Sequence, residues 1–186
     1  AVVHPEGYAV VTAARLLPGA LSALVTAVSG AAYPPDPDVT AGLAARLSSA
    51  TLHGVRIMPA GRLGDGWLVV REEAAVEPPV QATAMAVWDR RFQLHGAGEL
   101  PEGTTIGALG DDAAGFRRQS PLPSVVLRTL PALRVGKSVA AVPHLRYAGT
   151  ITIPMVTVTF APPRPVDGPA FVPASGYWTV STGPAV

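Results

Sequence analysis

Cysteine is absent from this chain, which excludes disulfide bonds, thiolate nucleophiles and Cys-based zinc sites. Lysine is nearly absent too. Thirteen of the 14 basic residues are Arg and only Lys137 is Lys, a bias that suits bidentate contact with phosphate. Acidic residues are missing from one long stretch. Between Ala113 and Val166 there are seven basic residues (Arg117, Arg118, Arg128, Arg134, Lys137, Arg146 and Arg164) and no Asp or Glu. The whole chain carries 14 basic and 13 acidic residues, so this is a local field inside a nearly neutral protein. A one-sign region attracts polyanions, of which nucleic acid is the commonest. The alternative is a solvated basic face without a partner.

A long apolar run is also missing. The longest uncharged stretch, Leu16 to Pro35, has 20 residues. Pro18, Gly19, Gly30, Pro34 and Pro35 leave it about a dozen helical positions, too few to span a bilayer. Ala1 is preceded by no initiator Met, basic leader or cleavage pattern, so a cytoplasmic protein is expected, and a fragment of a longer one. Catalytic patterns are absent as well. Gly136-Lys137-Ser138 resembles part of a phosphate loop, but Pro131 stands where that loop needs glycine, and the β-branched run from Val139 replaces the required helix. His4, His53, His95 and His144 show no metal spacing. Glu72 and Glu73 are adjacent on a strand end and point to opposite faces. Asp111 and Asp112 read as helix-start residues, and no Ser sits in a nucleophile elbow. No catalytic residue, metal site or cofactor is expected in this chain.

What is present is a chain of 186 residues, 48% hydrophobic, with 19 Gly and 20 Pro. That composition is enough for one large or two small loop-rich domains. Val2–Val3 and Tyr8 to Thr12 read as strands around a Pro5-Glu6-Gly7 turn. Pro18 to Ser29 is a helix with its apolar stripe on Leu21, Leu24, Val25 and Val28 and a stop at Gly30. Asp36-Pro37 is an N-cap followed by a first-turn proline, opening a second helix through Val39, Leu43 and Leu47. Thr51–Met58 and Trp67–Arg71 read as the strands of a hairpin. Residues 76 to 84, with Pro78 and Pro79, form a linker. Residues 1–83 hold five basic and seven acidic groups and residues 84–186 nine and six, which assigns polyanion binding to the second half. There, Met85–Trp88 and Thr105–Leu109 read as strands and Asp111–Gln119 as a helix with Arg117 and Arg118 in its last turn. Ser124–Thr129 is a further short helix. Ala132–Arg134 and Ser138–Val142 pair around Gly136, and Ile151 to Phe160 alternates with a break at Pro154. The expected fold is α+β: a helix–helix–hairpin domain over 1–78 and a mixed α/β domain over 79–186. Trp67 and Trp88 are expected in the core, while Trp178 and Tyr147 remain as aromatic surfaces on which bases could stack. Tyr147, beside Arg146, is the more credible contact.

Several phrases, read in order, resemble one family. They are Thr51-Leu52-His53-Gly54-Val55-Arg56-Ile57, Val70-Arg71-Glu72, Trp88-Asp89-Arg90-Arg91-Phe92, Leu122-Pro123-Ser124-Val125-Val126-Leu127-Arg128-Thr129-Leu130-Pro131-Ala132-Leu133, and Val139-Ala140-Ala141-Val142-Pro143-His144-Leu145. Together they resemble the C-terminal half of bacterial tRNA(Ile)-lysidine synthase in its alphaproteobacterial form, over roughly Gly7 to Val172. The resemblance implies an ATP-dependent ligase joining lysine to the wobble cytidine of an isoleucine tRNA with a CAU anticodon. Its catalytic domain, with the S-G-G-x-D-S loop and the need for ATP and Mg, has no counterpart in this sequence. It also implies that the second domain resembles one in the phenylalanyl-tRNA synthetase β chain and engages the tRNA acceptor stem. On that basis Arg117, Arg118, Arg128, Arg134, Lys137, Arg146 and Arg90 are candidate RNA contacts, and Arg91 is the structural member of its phrase. The implied partners are the tRNA, the enzyme's own N-terminal domain and a possible second copy, with no membrane. Relatives tend to carry G-G-C where this chain has His53-Gly54-Val55, so no role passes to that site. The rival reading is a protein-interaction or dimerisation module whose basic face is merely solvated.

Overall fold

The computed structural model describes residues 1–13, 15–96 and 98–166, and the backbone of Val172–Pro173. Trp178 and the rest of the tail lie outside the described residues. The fold is α+β, with helices packed on sheets that are almost wholly antiparallel. The strands are β1 (Val2–His4), β2 (Tyr8–Val11), β3 (Ala50–Leu52), β4 (Val55–Pro59), β5 (Trp67–Arg71), β6 (Val80–Gln81) and β7 (Val87–Trp88). They continue with β8 (Phe92–His95), β9 (Thr104–Ala108), β10 (Pro131–Val135), β11 (Ser138–Val142), β12 (Tyr147–Ala148), β13 (Thr157–Phe160) and β14 (Val172–Pro173). A first sheet runs β14-β1-β2-β5-β4-β3, a second β12-β11-β10-β9-β6 and a third β13-β8-β7. Only β1 and β14 pair in parallel among these ladders.

Local chemistry explains the helices. Helix α1 (Pro18–Ser29) starts on a proline whose missing N–H is no loss in a first turn, and ends where Gly30 adopts φ 70°, donating to the carbonyls of Thr26 and Ala27. Its stripe of Leu21, Leu24, Val25 and Val28 is fully buried against Ala9, Val11, Ile57 and Val69 of the first sheet. Helix α2 (Pro37–Ala45) is capped by Asp36, whose carboxylate accepts from the backbone N–H groups of Asp38 and Val39 at 2.9 and 3.1 Å. The third helix, α3 (Ser124–Leu127), is a single turn.

Three expectations need correction. The run Thr51–Met58 is two strands, because His53 and Gly54 both take positive φ and turn the chain between Leu52 and Val55. Asp111–Gln119 is not an α-helix: residues 110–116 form a 3-10 helix, Arg117 caps it and Arg118 follows beyond it. A helix of this tighter kind eclipses side chains at every third position and seldom continues far. The alternation over Ile151 to Phe160 yields a strand only from Thr157, beyond the break at Pro154.

A shared core crosses the expected boundary at residues 78 and 79. Tyr8, Leu68 and Val70 of the first sheet pack in one buried cluster with Leu109, Val126, Leu127, Leu130 and Val142. Another cluster, containing Trp88, Phe92, Ile106, Leu133 and Val158, lies mainly in the second half, with Val76 packed against it from the first.

Candidate functional site

The acid-free stretch is acid-free only along the chain. Folding brings carboxylates to it from elsewhere. Arg128, at the end of α3, donates to Glu73 and, at 2.7 Å, to Asp111, and these two acids hold its guanidinium pKa further above the usual arginine value. Arg134 on β10 pairs with Asp112 at 2.7 Å and donates to the carbonyls of Ala108 and Leu109. Arg90 pairs with Glu77 at 2.7 Å. Arg128, Arg134 and Arg90 are thus engaged with acids within the fold. Asp111 and Asp112, read in sequence as helix-start residues, also serve as counter-ions.

Arg117, Arg118 and Lys137 are exposed and make no ion pair with a described residue. They do not form one patch. Lys137 sits at the tip of the β10–β11 turn, beside Gly136 at φ 58°. Val142, at the other end of β11, pairs with Tyr147, roughly 16 Å of strand away. Arg117 and Arg118 belong to the Tyr147 end, because the neighbouring Phe116 packs edge-on to the Tyr147 ring with centroids 4.9 Å apart. Arg146 joins them there in a left-handed conformation (φ 52°) that closes the turn before β12. Tyr147 is 37% exposed. The result is a half-exposed aromatic pair flanked by three arginines. Such a surface can hold phosphates by charge and bases by stacking.

The fold also holds a charged knot that the sequence reading did not single out. Asp89 is buried between two buried arginines, Arg71 and Arg91. Arg71 donates from Nε and Nη2 to the two Asp89 oxygens at 3.1 and 2.9 Å. Arg91 donates from Nε at 2.7 Å, while its Nη2 lies 2.6 Å from Asp89 Oδ2 but off the line a hydrogen bond needs. The Glu77 backbone N–H adds a further bond to Asp89 at 3.0 Å. Burial pulls the Arg91 pKa down to about 10, against the raising field of Asp89 and with the lowering field of Arg71. Arg91 also ties the halves together. Its Nη1 donates to the Gly7 carbonyl at 3.2 Å, and its guanidinium lies 5.0 Å from the centre of the Phe92 ring. Arg91 is therefore committed to the interior.

Three of the family-like phrases meet at this knot. Gly54 comes from the first, Arg71 from the second and Asp89-Arg90-Arg91 from the third. The Gly54 requirement is geometric: with φ 71°, a Cβ there would lie 2.5 Å from Arg71 Nη1. The signal for the knot was legible. Asp89, Arg90 and Arg91 stand between Trp88 and Phe92, two aromatics now fully buried and stacked at 6.0 Å, and charged residues flanked so closely by core residues must find partners. Trp67 is only partly buried, against the cluster around α1.

His144 is a partly buried titratable residue whose Nδ1 is shielded from solvent. It packs edge-on to Phe92 at 5.6 Å and its Nδ1 has no hydrogen-bond partner. Desolvation draws its pKa down to about 4, despite a raising hydrogen bond to the Pro5 backbone. Among the described residues, no group of His, Asp and Glu could hold a metal ion, and no helix is long and apolar enough to cross a membrane. No family model, no curated protein and no solved structure matches this chain.

Proposed function

We propose that the chain is the tRNA-binding, non-catalytic C-terminal region of a tRNA(Ile)-lysidine synthase. The carrying observation is the surface formed by Arg117, Arg118, Arg146 and the Phe116–Tyr147 pair. It is the part of the acid-free stretch where aromatic surface coincides with Arg117 and Arg118, which pair with no described acid. The order of the five sequence phrases supports the family, and the convergence of three of them on one buried knot gives them a common structural reason. In this reading the second half takes the acceptor stem, as the related synthetase domain would. Arginines hold phosphates of the folded RNA, so that shape positions the wobble cytidine in a separate domain where ATP and Mg act. Arg128, Arg134 and Arg90 then have internal work first, and Lys137 contacts a different part of the ligand from the Tyr147 end. Cytoplasmic location follows from that role.

The test is titration of the protein with the isoleucine tRNA carrying a CAU anticodon, alongside light scattering. Salt-sensitive tRNA binding by a species that scatters as a monomer or dimer supports the reading. Tight self-association with no salt-sensitive tRNA binding assigns the chain to the rival class of interaction modules. An S-G-G-x-D-S loop encoded upstream of Ala1 would support the family independently.

A further inference from the structure

A hollow of about 430 Å³ lies over the buried knot, its wall including Ser29, Tyr33, His53, Gly54, Arg71 and Arg90. No carboxylate is in its lining. Arg71 is only 7% exposed. Its bonds to Asp89, the Gly54 carbonyl and the Ala75 carbonyl occupy four of the five guanidinium N–H groups. The remaining N–H is on Nη1, the nitrogen packed against Gly54 in the wall. Arg90 takes φ 53°, and its side chain is 60% exposed and, among the described residues, fastened to the Glu77 carboxylate. Tyr33 is 75% exposed, and its carbonyl is tied to His53 Nε2 at 3.0 Å, so the hollow has an aromatic edge as well as a cationic floor.

The charge balance at this place is positive. Arg71, Arg90 and Arg91 face Asp89 and Glu77, three cations to two anions. Two features oppose this field: Glu72, next to Arg71 in the chain and bonded through its N–H to the Gly54 carbonyl, and the C-terminal end of α1, whose last turn Gly30 and Ser29 already close. Buried positive charge left over from its own counter-ion is costly unless an anion approaches. Both guanidinium groups line the hollow, Arg71 with one N–H not engaged by these bonds and Arg90 with its planar fork. A tetrahedral group with three free oxygens has enough acceptors for both. The volume leaves room for an organic group against Tyr33.

We infer that this hollow is a binding site for a phosphomonoester, held by Arg71 and Arg90. It shares no residue with the Tyr147 surface and does not depend on that surface binding RNA. The phosphate could belong to a small metabolite or to the end of a nucleic-acid strand. Glu77 pairs with Arg90 and competes with the ligand for it. Its side chain can be altered without touching the backbone groups through which it holds Asp89 and Trp88.

The test is calorimetric titration with inorganic phosphate and with phenyl phosphate. A second titration compares 5′-phosphorylated with 5′-hydroxyl RNA oligonucleotides. The native chain should bind both phosphates, phenyl phosphate more tightly. Arg90→Asn preserves the left-handed backbone and should weaken binding about tenfold. Glu77→Gln should strengthen it by roughly threefold or more, since it frees Arg90 while keeping the backbone bonds. Preference for the 5′-phosphorylated oligonucleotide assigns the phosphate to a strand end, and phenyl phosphate binding without that preference assigns it to a small molecule. Absence of binding by both phosphates, or native affinity in both variants, overturns the inference.

Discussion

The knot at Asp89 and the surface at Tyr147 are built from the same side chain with opposite outcomes. Arg71 and Arg91 sit in the interior, where each guanidinium is shared between a carboxylate and backbone carbonyls. Arg117 and Arg118 sit at the end of a short 3-10 helix and pair with no described acid. Arg90-Arg91 and Arg117-Arg118 are both adjacent pairs beside a phenylalanine, but Asp89 directly precedes Arg90-Arg91, whereas the acid before Arg117 is Asp112, five residues away. The rest of the difference lies in where the fold delivers Asp and Glu. Asp89 is placed between strands β7 and β8, while Glu73, Asp111 and Asp112 are consumed by Arg128 and Arg134. A basic stretch is therefore left without internal counter-ions only where the through-space supply of acids runs out.

The sharpest way to break the comparison is Asp89→Asn. It leaves two buried guanidinium groups without their counter-charge, and loss of one partner from a buried pair costs about 3–5 kcal/mol. Urea denaturation should show that loss, and a change below about 1 kcal/mol would mean that the knot is solvated and the contrast false.

His144 gives a smaller, pH-dependent effect. Its folded pKa of about 4 lies below the ordinary histidine value of 6.5, so the unfolded chain binds the extra proton first as pH falls. The stabilisation is complete above 6.5 and is lost on acidification through about 4. Over that window the loss should amount to roughly 1–3 kcal/mol, and His144→Gln should remove it. An unaltered pH profile in the variant would show that other groups govern the acid limb.

Smaller still is the effect of breaking an exposed pair. Arg128→Ala should leave the urea midpoint nearly unchanged, because exposed ion pairs stabilise weakly. The double change of Arg117 and Arg118 to Ala should shift stability by no more than about 0.5 kcal/mol in either direction. A large loss there would make these residues structural and erase the distinction.

How much of this was legible follows the reach of each interaction. The Gly30 stop, the Asp36-Pro37 cap and the Gly136 turn depend on neighbours within four residues, and all stand where the sequence places them. The pairing of β2 with β5 joins Val10 to Leu68, across a span with no periodic signal linking them. The split at His53-Gly54 was hidden because a two-residue turn with positive φ leaves the flanking β-branched pattern intact. At the candidate surface, residue types were readable but partners were not. Asp111 and Asp112 look like first-turn acids in the chain, and only the approach of α3 and β10 turns them into counter-ions. Tyr147 beside Arg146 was legible as an aromatic–cation pair, whereas its contact with Phe116 required the sheet to bring residues 116 and 147 together.

The central claim is that Arg117 and Arg118 carry polyanion contact while the internally paired arginines do not. The direct measurement is the slope of log affinity for tRNA against log salt concentration, for the native chain, the Arg117→Ala/Arg118→Ala variant and Arg128→Ala. Removing one arginine–phosphate interaction reduces the slope by roughly 0.7–0.9. The expected result is a slope shallower by about 1.4–1.8 in the double variant and little change in Arg128→Ala. An unchanged slope in the double variant, or the larger reduction in Arg128→Ala, would contradict the claim.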